Sequence, residues 1–290
     1  MTGAPWILRS LLFVPGSRAD MLRKAPGYGA DALILDLEDG VAPDLKAAAR
    51  ERVAAALESG FAGGALIFVR VNGMASGLLD DDLAQALRPG VNAVCLPKAE
   101  SPEEIEALDA RLQTVEDRWK MPRGGLRVMP LIESARGVLE APAIARGPRV
   151  AAVGFGAEDY TADVGVARTR EGEEVRFARA AVSVAAHAAG VEPLDGIYAE
   201  FRDLDGLRAD TLAARALGYT GRAVIHPLQI ETVHSVFAPS TEEVDRARRI
   251  VAGFEAAQAK GEGIAVVDGA MVDRPVVLRA QRTLARAARG

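Results

Sequence analysis

Eight short apolar runs recur along this chain, separated by longer Ala-, Glu- and Arg-rich segments with the spacing of a helix face. The runs fall at 10–14, 32–37, 66–71, 93–96, 127–132, 150–153, 192–197 and 222–225. Stretches such as Ala-Leu-Ile-Leu at 32–35 and Leu-Ile-Phe-Val at 66–69 show no polar alternation. That pattern fits strands buried on both faces, which occur in parallel sheets covered by helices. Eight strand-then-helix repeats predict an α/β fold, a closed (β/α)8 TIM barrel, and about 250 residues suffice for one. The chain has 290.

The surplus lies at the end. Ser240-Thr241-Glu242-Glu243 opens a helix, Gly261-Glu262-Gly263 breaks it, and a strand-like run at 264–267 precedes Asp273-Arg274-Pro275 and a final basic helix. The expected division is a catalytic barrel over 1–230 and a helix-hairpin-helix extension over 231–290, serving as a lid or an oligomerisation arm. Within the barrel the helix ends are marked. Ser101-Pro102-Glu103-Glu104 spells an N-cap, a proline at the first helical position and a capping box. Gly60, Gly190 and Gly218 follow Ala-rich segments where a left-handed residue closes a helix.

Charge excludes some partners. Thirty-five basic against 40 acidic residues give a net charge of −5, the reverse of a phosphate-binding footprint, so no nucleic acid is expected. With 49% hydrophobic and 26% charged residues the chain can bury a large core. No apolar run approaches the roughly 18 residues of a spanning helix and residues 1–10 show no signal-like segment, so a cytoplasmic protein without a membrane partner is expected. The single cysteine, Cys95, sits in an apolar run and reads as core.

Barrel enzymes work at the C-terminal ends of their strands. The residues closing the runs are Asp36, Glu38 and Asp39, then Arg70 and Asn72, Lys98, Glu133 and Ser134, Glu158 and Asp159, Asp195, and His226. So many carboxylates around one rim call for a counter-charge, and hard oxygen donors without paired His or Cys select Mg²⁺, with Mn²⁺ possible. Glu133 and Asp159 close adjacent strands and are the expected ligands, Ser134 being the better N-cap for the following helix. At least one of Asp36, Glu38 and Asp39 is expected to hold a metal-bound water, or else one caps the helix around Lys46 and another faces solvent. Arg70 suits a carboxylate or a developing enolate oxygen, or else a salt bridge to Glu38 or Asp39. Lys98 carries the same two readings, and His226 reads as a barrel-capping group or a catalytic one.

The ordered motifs Arg9-Ser-Leu-Leu-Phe-Val-Pro-Gly-Ser-Arg18, Leu35-Asp-Leu-Glu-Asp-Gly-Val41, Val69-Arg-Val-Asn72, Leu96-Pro-Lys98, Leu131-Ile-Glu-Ser-Ala135 and Gly156-Ala-Glu-Asp159 run through the barrel region. Ile225-His-Pro-Leu-Gln229 and Asp268-Gly-Ala-Met-Val-Asp273 follow. Together they resemble the citrate lyase beta subunit-like branch of the HpcH/HpaI aldolase superfamily, which includes malyl-CoA and citramalyl-CoA lyases. The resemblance implies a metal-dependent barrel with Glu133 and Asp159 as Mg²⁺ ligands and Arg70 as the substrate- and enolate-binding arginine. It further implies Arg18 and Lys24 at the nucleotide and phosphates of CoA, and Asp273 as an acid or base delivered from a neighbouring subunit's tail in a homotrimer or homohexamer. Arg222 departs from a lysine common before the Ile-His-Pro turn.

The activity so implied is reversible cleavage of a 3-hydroxy-3-carboxyacyl thioester, malyl-, citramalyl- or citryl-CoA-like, into a 2-oxoacid and acetyl-CoA. The alternatives are a citrate lyase beta subunit acting on a carrier-protein-bound citryl thioester, an HpaI-type pyruvate aldolase, and a non-catalytic ligand-binding barrel.

Overall fold

The computed structural model describes residues 6–61 and 64–288. Eight parallel strands close into a barrel in sequence order: β1 (Ser10–Pro15), β2 (Ala32–Asp36), β3 (Leu66–Arg70), β4 (Ala93–Leu96), β5 (Arg127–Ile132), β6 (Ala152–Phe155), β7 (Glu192–Asp195) and β8 (Gly221–Val224). Closure comes from β1 pairing with β8, Leu11 opposite Ala223. The helices are α1 (Ala19–Lys24), α2 (Lys46–Ser59), α3 (Leu79–Ala86), α4 (Pro102–Trp119), α5 (Ala135–Ile144), α6 (Ala157–Val164), α7 (Arg176–Ala189), α8 (Leu204–Ala216) and α9 (Leu228–Phe237). Inward-facing Leu11, Ile34, Phe68, Cys95, Met129 and Leu194 fill the barrel, each at most 2% exposed. Burial pushes the Cys95 thiol well above its ordinary pKa, consistent with a packing role.

Only β4 and β5 keep the expected ends, and the shifts in β6, β7 and β8 have a steric or polar reason. The sixth strand was expected at 150–153, whereas Val150 makes only an isolated bridge to Val128 and the ladder runs on through Gly154 and Phe155. A Cβ at 154 would stand 2.4 Å from Leu131 Cδ2, so any larger residue there must displace that side chain. The seventh ladder stops at Asp195, and the Gly196 carbonyl instead accepts from the Arg222 guanidinium at 3.0 Å. Gly221 joins the eighth strand because a Cβ would fall 1.6 Å from the Leu8 carbonyl oxygen.

Beneath β7 and β8 lies a buried network of four charges. Asp195 accepts from Arg179 Nε at 2.9 Å, and Arg222 Nη2 donates to Asp210 at 2.8 Å while lying 3.3 Å from Asp195. Arg222, 1% exposed, also donates to Thr211 Oγ1. Removing one member of such a buried group strands its partners. Arg222→Met is therefore expected to cost about 3 kcal/mol, because Arg179 still contacts both carboxylates. Urea denaturation measures it, and a change below about 1 kcal/mol would show that the network is energetically neutral.

The chain divides into two compact units, the first ending at His234. The second holds α10 (Thr241–Gln258), a hairpin of β9 (Ala265–Val267) and β10 (Ala270–Val272), and α11 (Arg274–Ala287). Ser240 opens α10 with a capping box, and Asp273 caps α11 by accepting from Val276 N–H at 3.3 Å. Phe254, Ala257, Ala265, Val272 and Val277 form this unit's own small core. Among the described residues no helix is long and apolar enough to cross a membrane.

Candidate active site

A cavity of about 290 Å³ opens at the C-terminal ends of the barrel strands, where the sequence placed the chemistry. Asp36, Arg70, Glu133 and Asp159 line it, joined by Glu158 and Asp195. Glu133 follows β5 and is 5% exposed, and its Oε2 accepts from the Lys98 backbone N–H at 3.1 Å. Lys98 makes this possible by adopting a left-handed backbone, φ 53°, at the end of β4. Ser134, not Glu133, caps α5, accepting from Gly137 N–H at 3.0 Å, and this leaves the glutamate free to face the cavity. Burial pushes the Glu133 pKa up to about 7, and the nearby charge of Asp159 adds to the rise.

Arg70 is engaged on three sides. Its Nε and Nη2 donate to the two oxygens of Asp36 at 2.7 and 2.8 Å, and Nη1 lies 3.0 Å from Glu38 Oε2. The Phe13 ring supports the guanidinium from one face, 4.7 Å from its centroid. Burial opposes the charge, yet the hydrogen bonds and charge of Asp36, with Glu38, hold the Arg70 pKa above its ordinary value. Sequence reasoning named Glu38 or Asp39 as the salt-bridge partner and missed Asp36 in that part, as it missed Phe13. The signal was the one-residue register that sets Asp36 opposite Arg70 in neighbouring parallel strands.

Asp36 also accepts from the backbone N–H groups of Glu38 and Gly40, both at 2.9 Å, so it organises the loop after β2. None of Asp36, Glu38 and Asp39 caps the helix around Lys46. That helix starts from a 3-10 turn over Pro43–Leu45 with no side-chain cap, and the Lys46 ammonium instead ties down the Leu37 and Glu38 carbonyls at 2.7 Å. Lys98 Nζ contacts Glu38 at 2.6 Å, Asp39 at 3.1 Å and Asp159 at 3.6 Å, bridging the acidic rim.

Other expected site residues stand apart from the cavity lining. Arg18 and Lys24 are exposed on and before α1, and Arg18 pairs with Asp20 at 3.2 Å. His226 stacks on Phe201, with 4.5 Å between ring centroids, and its Nδ1 accepts from the Leu228 N–H. Asp273 belongs to the second compact unit.

Among the described residues no group of three or more His, Cys, Asp and Glu could hold a metal. Glu133 and Asp159 nevertheless form a pair of hard carboxylates whose mutual repulsion a divalent cation would relieve. Mg²⁺ suits such a pair because it needs only one or two protein carboxylates and fills its octahedron with water and substrate oxygens.

Sequence necessity extends to Gly156, whose Cβ would stand 2.4 Å from Glu133 Cγ and 2.6 Å from its Oε1. The backbone there, φ −110°, accepts any residue, so Gly156→Ala acts only through the displaced glutamate. A loss of about a hundredfold in kcat is expected with the fold retained. Unchanged steady-state turnover would show that Glu133 tolerates the shift.

Residues 9–227 match the HpcH/HpaI aldolase/citrate lyase family. The citrate lyase subunit beta of Leuconostoc mesenteroides subsp. cremoris is 36% identical over 277 residues, covering 95% of this chain and 92% of its own. Mitochondrial citramalyl-CoA lyase of Homo sapiens is 36% identical over 287 residues, covering 95% and 84%. Among solved structures, CitE of Mycobacterium tuberculosis in complex with magnesium, acetoacetate and coenzyme A is 33% identical with a TM-score of 0.79, covering 97% of this chain and 98% of that one. A barrel of this topology, a carboxylate-lined mouth and relatives matched over 95% of the chain agree: the chain belongs to the HpcH/HpaI aldolase/citrate lyase family.

Proposed function

We propose that this carbon–carbon lyase reversibly cleaves a 3-hydroxy-3-carboxyacyl thioester of coenzyme A, malyl-, citramalyl- or citryl-CoA-like, into a 2-oxoacid and acetyl-CoA. The observation that carries the reading is the buried Glu133 and the half-exposed Asp159 beside it, whose charges repel, lining one cavity with Arg70. Glu133 and Asp159 would hold Mg²⁺, which when bound supplies Lewis-acid polarisation of the oxygens destined for the 2-oxoacid. Arg70 stabilises the charge that develops as the carbon–carbon bond breaks, with Asp36 and Phe13 fixing the plane of its fork. Lys98, through its backbone N–H, orients Glu133, while its ammonium offsets Glu38 and Asp39. Relatives named for a citramalyl-CoA lyase and a coenzyme A complex support the free thioester over a carrier-bound one. Arg18 and Lys24 would meet the CoA phosphates.

Asp273 would move the proton at the acetyl carbon, delivered from a neighbouring subunit of a trimer or its multiple. Asp273→Ala chains and Glu133→Ala chains, each inactive alone, are then expected to regain part of the activity when unfolded and reassembled together. No complementation despite proven subunit exchange would leave Asp273 with its capping role alone. The reading as a whole is tested by incubating the enzyme with malyl-, citramalyl- and citryl-CoA, with Mg²⁺ and with chelator. Release of acetyl-CoA that needs the metal is expected. Full activity in chelator, or none on any thioester, would sink it.

A further inference from the structure

A chain of hydrogen bonds outside the cavity ends on both sides of the Arg70 fork. The Lys46 ammonium, at the start of α2, spends all three donors, on the Leu37 and Glu38 carbonyls at 2.7 Å and on Asn72 Oδ1 at 2.8 Å. Asn72 carries the chain on. Its backbone N–H and its Nδ2 both donate to Asp82 Oδ2 at 2.7 Å, and Nδ2 also reaches the Leu37 carbonyl at 3.0 Å. Asp82, on α3 and fully buried, accepts from Arg50 Nε at 2.7 Å with its other oxygen. None of Lys46, Arg50, Asn72 and Asp82 lines the cavity.

The segments so joined hold the two halves of the fork. Leu37 and Glu38 follow Asp36 in the loop after β2, and Asn72 lies two residues past Arg70 at the end of β3. The pairing of β2 with β3 stops at Asp36 and Arg70, with one further backbone bond from the Leu37 N–H to the Arg70 carbonyl. Past that point Lys46 and Asn72 Nδ2 tie the loop to β3. Without the ammonium, Asn72 Oδ1 loses a charged donor in a buried place and the Glu38 carbonyl keeps only the Val41 N–H. A shift of the Glu38 segment then draws its carboxylate from Arg70 Nη1. On the footing of the lyase reading, we propose that Lys46 is a positioning residue. Through Asn72 and the Leu37 and Glu38 carbonyls it holds the Arg70 guanidinium, gripped by Asp36 and Glu38, in the plane that charge stabilisation needs.

Two measurements on the full chain test this, one of them independent of turnover. With nitrogen-labelled arginine, solvent exchange of the Arg70 Nε–H is followed by NMR, its signal identified by its loss in Arg70→Lys. Lys46→Met is expected to speed that exchange at least about tenfold. The Nε–H of Arg179, bound to Asp195 in a separate network, should stay unchanged, whereas general loosening of the fold would speed both. The kcat for acetyl-CoA release should fall about tenfold to a hundredfold. The same substitution in Arg70→Lys enzyme should cost less than about threefold, because the fork it serves is already gone. Lys46→Gln carries the same comparisons if methionine at 46 prevents folding. Arg70 exchange that is unchanged, or that rises no more than that of Arg179, would overturn the proposal, as would a full kcat loss on top of Arg70→Lys. If wild type releases acetyl-CoA from no thioester, the lyase reading falls and the exchange measurement alone decides whether Lys46 positions Arg70.

Discussion

Glu133→Gln is expected to make the metal-free protein more stable and the enzyme inactive. The wild-type carboxyl has its pKa raised from 4.5 to about 7 by burial, with Asp159 adding to it. The folded state therefore binds this proton more tightly than the unfolded chain does. Its contribution to stability is complete below about pH 4.5 and is lost as pH rises through about 7. At about 1.4 kcal/mol for each tenfold change in proton affinity, the ionised side chain costs the metal-free fold about 3 kcal/mol at pH 8. Glutamine removes that charge and can still accept from the Lys98 N–H with its amide oxygen. The variant should thus exceed metal-free wild type by about 2–3 kcal/mol at pH 8 and match it near pH 4.5.

Magnesium reverses the order. Binding displaces the proton, so wild type should be stabilised by the metal more strongly above pH 7 than at pH 5. The glutamine variant should respond weakly at any pH, and its turnover should fall by roughly a thousandfold or more. Denaturant melts at several pH values, with and without Mg²⁺, test both halves at once. A metal-free wild type whose stability does not decline relative to the variant between pH 5 and 8 would deny the buried charge. A variant that turns over normally would remove Glu133 from the ligand set.

Periodicity carried the fold because strands buried on both faces write themselves as short apolar runs. It failed locally where a glycine belongs to a strand for want of space, as at Gly154 and Gly221, since a residue without a side chain has no periodicity to read. The rim was legible as a set of acids and bases at strand ends, but their pairing was not. Asp36 engages Arg70 through the register of β2 on β3, a relation between residues 34 apart in the chain. Lys46 and Phe13, which hold the loop and the guanidinium, read as an ordinary helix residue and an ordinary core residue. Gly156 gave no signal of its own either. Its necessity arises only once Glu133 is folded against it.

Arg70→Lys keeps the charge and loses the plane, and it is expected to lower kcat by about two to four orders of magnitude. An ammonium can approach one oxygen of Asp36 closely, but it cannot bridge both of them and Glu38 as Nε, Nη2 and Nη1 do at 2.7, 2.8 and 3.0 Å. Nor does it present a flat face to Phe13. Part of the effect is structural: Asp36, 2% exposed, loses one strong donor, and stability should fall by roughly 1–3 kcal/mol. The two contributions separate by temperature. If Arg70 only braces the loop after β2, turnover measured far below the melting temperature should return close to wild type, because the folded fraction is then complete. If it stabilises developing negative charge, the kcat deficit persists in the cold. Asp36→Asn supplies the converse, retaining the guanidinium but loosening its fork, and should lose less kcat than Arg70→Lys while losing comparable stability. Equal stability loss with near-normal cold turnover in Arg70→Lys would make the arginine a strut and shift the burden of charge stabilisation onto the metal site.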